Sequence, residues 1–178
     1  MIAHLPSRAL RSVGAVLVVI AAVITTGCQS DGGSAVTFTS TDWKTRKPTS
    51  LKDLRGSPVL MSSWATWCEP CKRELPELQK FYEQRHPDGL EIVAVNVNVS
   101  GPSESKIDPM IKKFDLGMRI WRDSDDTFTT TFDGLGVPMT VLIGADGTLK
   151  KKWQGEIDTS DREFLAAVNA AIREASQS

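Results

Sequence analysis

The sequence predicts an α/β domain with a mixed central β-sheet flanked by helices, an N-terminal hairpin and a central insertion. Three observations predict it. A compact apolar run, 58–64, and a run rich in β-branched residues, 91–99, lie on either side of a segment with helical spacing. Asp146-Gly147, a tight-hairpin signal, separates two further strand-like runs. A last segment lines up Phe164, Leu165, Val168 and Ile172 on one helical face. Strands that alternate with helices and end in a hairpin and a helix require both parallel and antiparallel pairing.

In chain order, the alternation from Val36 to Phe38 starts a short strand. Residues 42–56 are polar, with a break at Lys47-Pro48, and read as hairpin and turn. Pro58-Val-Leu-Met-Ser-Ser-Trp64 is a buried strand. Cys71, Leu75, Leu78 and Tyr82, with Phe81 alongside, mark a helix over about 68–84 that ends near His86-Pro87-Asp88-Gly89. Residues 91–99 form the next strand. Ile107, Met110, Ile111 and Phe114 make a second helical stripe, in which Pro109 either kinks the helix or sits at its first position behind an Asp108 cap. A short strand at 119–121 and a short helix at 125–132 follow. The hairpin strands are 139–143 and 148–153, and Ser160-Asp161-Arg162-Glu163 reads as a capping box opening the last helix.

The first 27 residues differ from the rest: their only cations are Arg8 and Arg11, they contain no Asp or Glu, and an apolar run of 12 residues spans 13–24. That pattern reads as a secretory signal, and the run falls short of the about 20 residues that span a membrane comfortably. An uncleaved anchor is the alternative. Residues 28–35 then form a polar, Gly-rich tether before a domain at 36–178. Without Arg8 and Arg11, 19 of the 21 Lys and Arg remain against 22 Asp and Glu, a charge of −3. No basic field suits nucleic acid.

Chemistry concentrates at Trp67-Cys68-Glu69-Pro70-Cys71. Cys68 falls at a helix N-terminus, where unpaired amides and the helix dipole favour a thiolate, and Cys71 lies one turn inside. Such a pair suits thiol–disulfide exchange, with Cys68 attacking and Cys71 resolving the mixed disulfide. A passive disulfide is the plainer alternative, although so short a loop stabilises little. Zinc is another, but one pair supplies two ligands, and the only histidines are His4 and His86. No metal site is expected. Asn98-Val99-Ser100 matches a glycosylation sequon that a bacterial-type leader marks as chance.

These residues carry a resemblance. Trp67-Cys-Glu-Pro-Cys-Lys72, with Gly136-Val-Pro-Met-Thr140 further on, resembles the thioredoxin superfamily. Within it, Leu51-Lys-Asp-Leu-Arg-Gly56 and Cys68-Glu-Pro-Cys-Lys-Arg-Glu-Leu-Pro76 resemble the TlpA/ResA group of exported reductases, over roughly 36–175. The resemblance implies a thioredoxin-like fold, a cis Val137-Pro138 peptide beside the cysteines, and substrate contacts from Trp67, Glu69, Pro70, Val137 and Pro138. Thioredoxins bury an Asp six residues before the first cysteine. Here Ser62 stands there, and the resemblance gives proton handling to Glu74, whose plainer reading is a solvated helix residue.

Thr25-Thr-Gly-Cys28 resembles a lipobox, which implies lipid on Cys28 and a membrane-anchored, extracytoplasmic domain; Thr25 departs from the usual Leu. With Cys28 lipidated, the three cysteines are all assigned. Glu69 and Glu74 oppose a thiolate at Cys68 while Lys72 and the helix dipole favour it, and the balance points to a reductant. The resemblance implies a membrane thiol-transfer protein as electron donor, apocytochrome c as substrate, and no haem, metal or other cofactor. A monomer is expected. A general reductase or isomerase of exported proteins is the alternative, followed by a thiol peroxidase or a Cu(I) carrier.

Overall fold

The computed structural model describes Met1, residues 33–98 and residues 101–177. The expected signal peptide, Cys28 and most of the tether lie outside the described residues, as do Val99 and Ser100. The described residues build one seven-stranded sheet, whose strands lie in the order 48–50, 39–42, 119–122, 91–96, 59–64, 139–143 and 149–154.

β1 (Thr39–Asp42) and β2 (Pro48–Ser50) are the N-terminal hairpin. The ladder begins later than the Val36–Phe38 alternation suggested. Phe38 instead leaves the sheet for the core, where it meets Phe128 edge-on at 5.4 Å and stacks on Trp121 at 6.2 Å. Burial of the large ring decides its place, and the polar residues after it take the exposed pairing.

β3 (Val59–Trp64), buried throughout, is the centre of the molecule. It pairs in parallel with β4 (Glu91–Asn96) and antiparallel with β6 (Met139–Ile143). Between β3 and β4 runs α1 (Glu69–Arg85), whose Cys71, Leu75, Leu78 and Phe81 face inward at helical spacing. Each large apolar side chain of this stripe contributes about 2 kcal/mol by leaving water. Pro76 lies inside α1 and removes one amide donor, so the Lys72 carbonyl has no helical partner.

The central insertion takes the form of a crossover from β4 to the parallel strand β5 (Arg119–Arg122), through the short helix α2 (Ile107–Lys113). Pro109 does not open α2. It is the third helical residue, where an amide is unpaired in any case, and Lys106 is the cap. Asp108 accepts a hydrogen bond from Trp43 Nε1 at 2.5 Å, which ties α2 to the hairpin.

α3 (Thr127–Thr131) follows β5, and β7 (Leu149–Gln154) pairs with β6. α4 (Arg162–Ala175) closes the fold, its Phe164 packed on Phe81 at 5.4 Å and on Trp153 at 5.1 Å. Its cap is Asp161, not the Ser160 of the expected capping box. The Asp161 carboxylate accepts from the amides of Glu163 at 2.8 Å and Phe164 at 2.9 Å, while Ser160 is engaged by Asp158. The Asp161 carboxylate thus meets two orphan amides of the first turn, while the Ser160 hydroxyl is already bonded to Asp158.

Candidate redox site

β3 delivers the chain to the C-terminal edge of the parallel strands, where 65–68 turn into α1. The Cys68 amide donates to the Ala65 carbonyl, which closes this turn. Cys68 is the N-cap of α1, in extended backbone. Its Sγ accepts from the Cys71 amide at 3.2 Å, and Pro70 fits the first turn because the amide it lacks has no helical acceptor there. The two cysteines form a disulfide with Cα atoms 5.3 Å apart. Both are nearly covered in this state, Cys68 retaining 4% and Cys71 1% exposure. The contrast in accessibility that their positions suggested is therefore small in the disulfide form. Trp67 beside them is 64% exposed.

Asn98 holds the turn in place. Fully buried two residues past the end of β4, it accepts from the Thr66 amide at 2.9 Å and donates to Thr66 Oγ1 and to the Ser103 carbonyl, each at 2.9 Å. Its carboxamide is thereby committed. Sequence reasoning met Asn98 only in the sequon, and nothing local in the sequence announces its bracing role.

Val137-Pro138 is a cis peptide, as the resemblance implied. It precedes β6 directly, and Met139 lies opposite Ser63, whose hydroxyl accepts from the Met139 amide at 3.1 Å. Gln154, on β7, fastens the approach. It accepts from the Leu135 amide at 2.9 Å and donates to the Gly136 carbonyl at 3.0 Å and the Pro138 carbonyl at 3.3 Å. Gly136 has φ +138°, a conformation that only glycine adopts easily, and Leu135 at the loop tip is 91% exposed. The sequence offered no sign of Gln154.

Glu74 is not solvated: it is 3% exposed, on the inner face of α1. Ser62 Oγ donates to its Oε1 at 2.6 Å and the Ile157 amide to its Oε2 at 2.9 Å. Burial, opposed by these two hydrogen bonds and assisted by the nearby Glu156 charge, pushes its carboxyl from 4.5 to about 7. The residue in the place of the thioredoxin aspartate thus partners the carboxylate that replaces it. Arg73 grips Glu156 through Nε and Nη2, with 2.6 Å for the shorter contact, so neighbouring residues of α1 hold both ends of the 156–157 loop.

Glu69 is exposed, and its hydrogen bond and ion pair with Lys72 lower its pKa. A carboxylate so paired opposes a thiolate at Cys68 less than a free one would, and Glu74 opposes it only when ionised. The two-carboxylate argument for a reductant therefore reduces to Glu74.

Two cysteines at the start of a helix, opposite a cis-proline loop and above a buried carboxyl, can open and close a disulfide with an outside thiol. That chemistry on this sheet defines a thiol–disulfide oxidoreductase of the thioredoxin fold. Residues 32–152 match the model of the AhpC/TSA family, and the chain belongs to that family. It is 33% identical over 131 residues to the thiol-disulfide oxidoreductase ResA of Bacillus subtilis (strain 168), across 74% of this chain and 71% of that protein. StoA from Bacillus subtilis matches with a TM-score of 0.59 at 25% identity, over 70% of this chain and 91% of that one. A thiol:disulfide interchange protein of Chlorobium tepidum TLS, with a TM-score of 0.63 at 22% identity over 78% and 94% of the two chains, shares the fold.

Proposed function

We propose that this thiol–disulfide oxidoreductase is an exported, membrane-anchored reductase of disulfides in other exported proteins, with apocytochrome c as substrate. The Cys68 thiolate attacks one sulfur of the substrate disulfide, forming a mixed disulfide and releasing the other sulfur as thiolate. The Cys71 thiol loses its proton and attacks Cys68, which frees the second substrate thiolate and leaves Cys68–Cys71 oxidised by two electrons. Glu74, one turn along α1 from Cys71 and buried with a pKa of about 7, is the group to take that proton near neutrality. This buried carboxyl is the observation that carries the reading, since a passive disulfide has no use for it.

Trp67, Glu69 and Pro70 border the attacking sulfur, and Val137 offers backbone to an extended substrate segment before Pro138. Export and anchoring rest on the leader and on Cys28. A reductant in an oxidising compartment requires electrons from within, so a membrane thiol-transfer protein is the donor. The choice of apocytochrome c rests on the resemblance to the TlpA/ResA group, and the identity to ResA supports it.

Trapping tests the reading. Cys71→Ala in the anchored, full-length chain should accumulate mixed disulfides on Cys68, apocytochrome c and a membrane thiol protein among the captured partners. Capture of other exported proteins without apocytochrome c overturns the substrate; no capture, with Cys68 inert to alkylation in the dithiol form, overturns the mechanism.

A further inference from the structure

The mature domain is acidic, yet one groove beside its redox turn is cationic. This groove of about 330 Å³ is lined by Thr66, two residues before Cys68, and by Lys72, Lys106, Met110, Lys113 and Phe114. None of its lining residues is acidic. Lys106 and Lys113 are exposed and form no ion pair among the described residues, and Lys113 Nζ lies 5.3 Å from the Phe114 ring centre. Lys72 faces Glu69. Beneath the lysines, Met110 and Phe114 give a half-buried apolar floor. The buried Ile107 and the Trp43–Asp108 hydrogen bond fix α2, so the lysines stand on an anchored element.

A smaller groove of about 190 Å³ borders Trp67, the next residue of the turn. It is lined by Trp67, Val97, Asp126, Gly136 and Val137, and its one charged lining residue is Asp126. Thr66 and Trp67 therefore open onto grooves of opposite charge. A symmetric or uniformly charged partner gains nothing from that arrangement. A polypeptide that crosses the redox centre in one direction, with acid towards α2, gains on both sides.

We propose that the groove of Lys72, Lys106 and Lys113 docks the polypeptide partner of the redox pair, through acidic side chains around an apolar one beside the partner's reactive cysteine. The inference rests on the exchange reaction proposed above and adds to it the chemistry of the partner's flanking residues. Steering of this kind acts on the association rate and fades with salt, because the lysines are exposed.

The test is a single turnover of pre-reduced protein, freed of reductant, with disulfide peptides identical except for Glu, Gln or Lys flanking the disulfide on one side. Released peptide thiol is followed at low and at high salt. The Glu peptide should react about tenfold faster than the Lys peptide at low salt, with the ratio shrinking at high salt. Lys106→Glu combined with Lys113→Glu should abolish or reverse the preference while leaving the Gln peptide within about twofold of the unaltered protein. Equal rates for the three peptides, or a preference that survives the double substitution, overturn the proposal. So does a double variant that loses adhesion to anionic phospholipid vesicles but keeps its peptide preference, which assigns the lysines to a membrane surface. Failure to reduce even the Gln peptide refutes the exchange reaction itself.

Discussion

Replacing Glu74 by Gln removes a buried ionisable group but keeps an amide of the same size beside Ser62 and the Ile157 amide. In the folded disulfide form the carboxyl is raised from 4.5 to about 7 by burial, so the native state holds a proton that the unfolded chain releases. Stability linked to this group is complete below pH 4.5 and is lost as the pH climbs through about 7. At about 1.4 kcal/mol per pKa unit, the loss is about 3 kcal/mol. Urea unfolding of the oxidised protein at intervals from pH 4.5 to pH 8 measures it, with no thiol present. The difference in stability, Glu74→Gln minus unaltered protein, should rise by about 3 kcal/mol across that range. A constant difference would refute the argument, because it would mean that Glu74 titrates alike in the folded and unfolded chain.

Two further outcomes follow from the braces of the site. Asn98→Ala leaves the buried Thr66 amide without its acceptor and should destabilise the protein by about 2 kcal/mol in the same unfolding assay, since an unmet buried group is expensive. Gln154→Ala releases the loop before Pro138 at the protein surface, so stability should change little. Single-turnover reduction of a neutral disulfide peptide should nevertheless slow by about tenfold through misplacement of the Val137 backbone. An unchanged rate would show that the loop keeps its place without Gln154.

Local pattern carried most of the architecture. The apolar run at 58–64, the stripe of Cys71, Leu75 and Leu78, and the Asp146-Gly147 turn each specify their own element, and the structure contains all three. Reading failed where two neighbouring choices were locally equivalent. Ser160 and Asp161 both cap helices well, and only the reach of the Asp161 carboxylate to two amides separates them. Phe38 continued an alternating pattern, but a ring that can join Trp121 and Phe128 goes to the core rather than to an edge ladder.

The site divides along the same line. A pair of cysteines with two residues between them at the mouth of a helix is local chemistry, and so Cys68 and Cys71 were legible in the chain itself. The burial of Glu74 was not, because the raised pKa comes from desolvation in the folded chain, and the Ser62 hydroxyl and Ile157 amide that partly offset it stand on a strand and a loop elsewhere in the sequence. Asn98 and Gln154 bind backbone groups 32 and 19 residues away, and long-range hydrogen bonds leave no period or motif behind them. The sequence by itself determined which two sulfurs pair and on which element they stand. The tertiary structure alone decided how deeply those atoms are covered and that a buried carboxyl of raised pKa stands on the same helix, since both depend on surroundings that distant segments assemble.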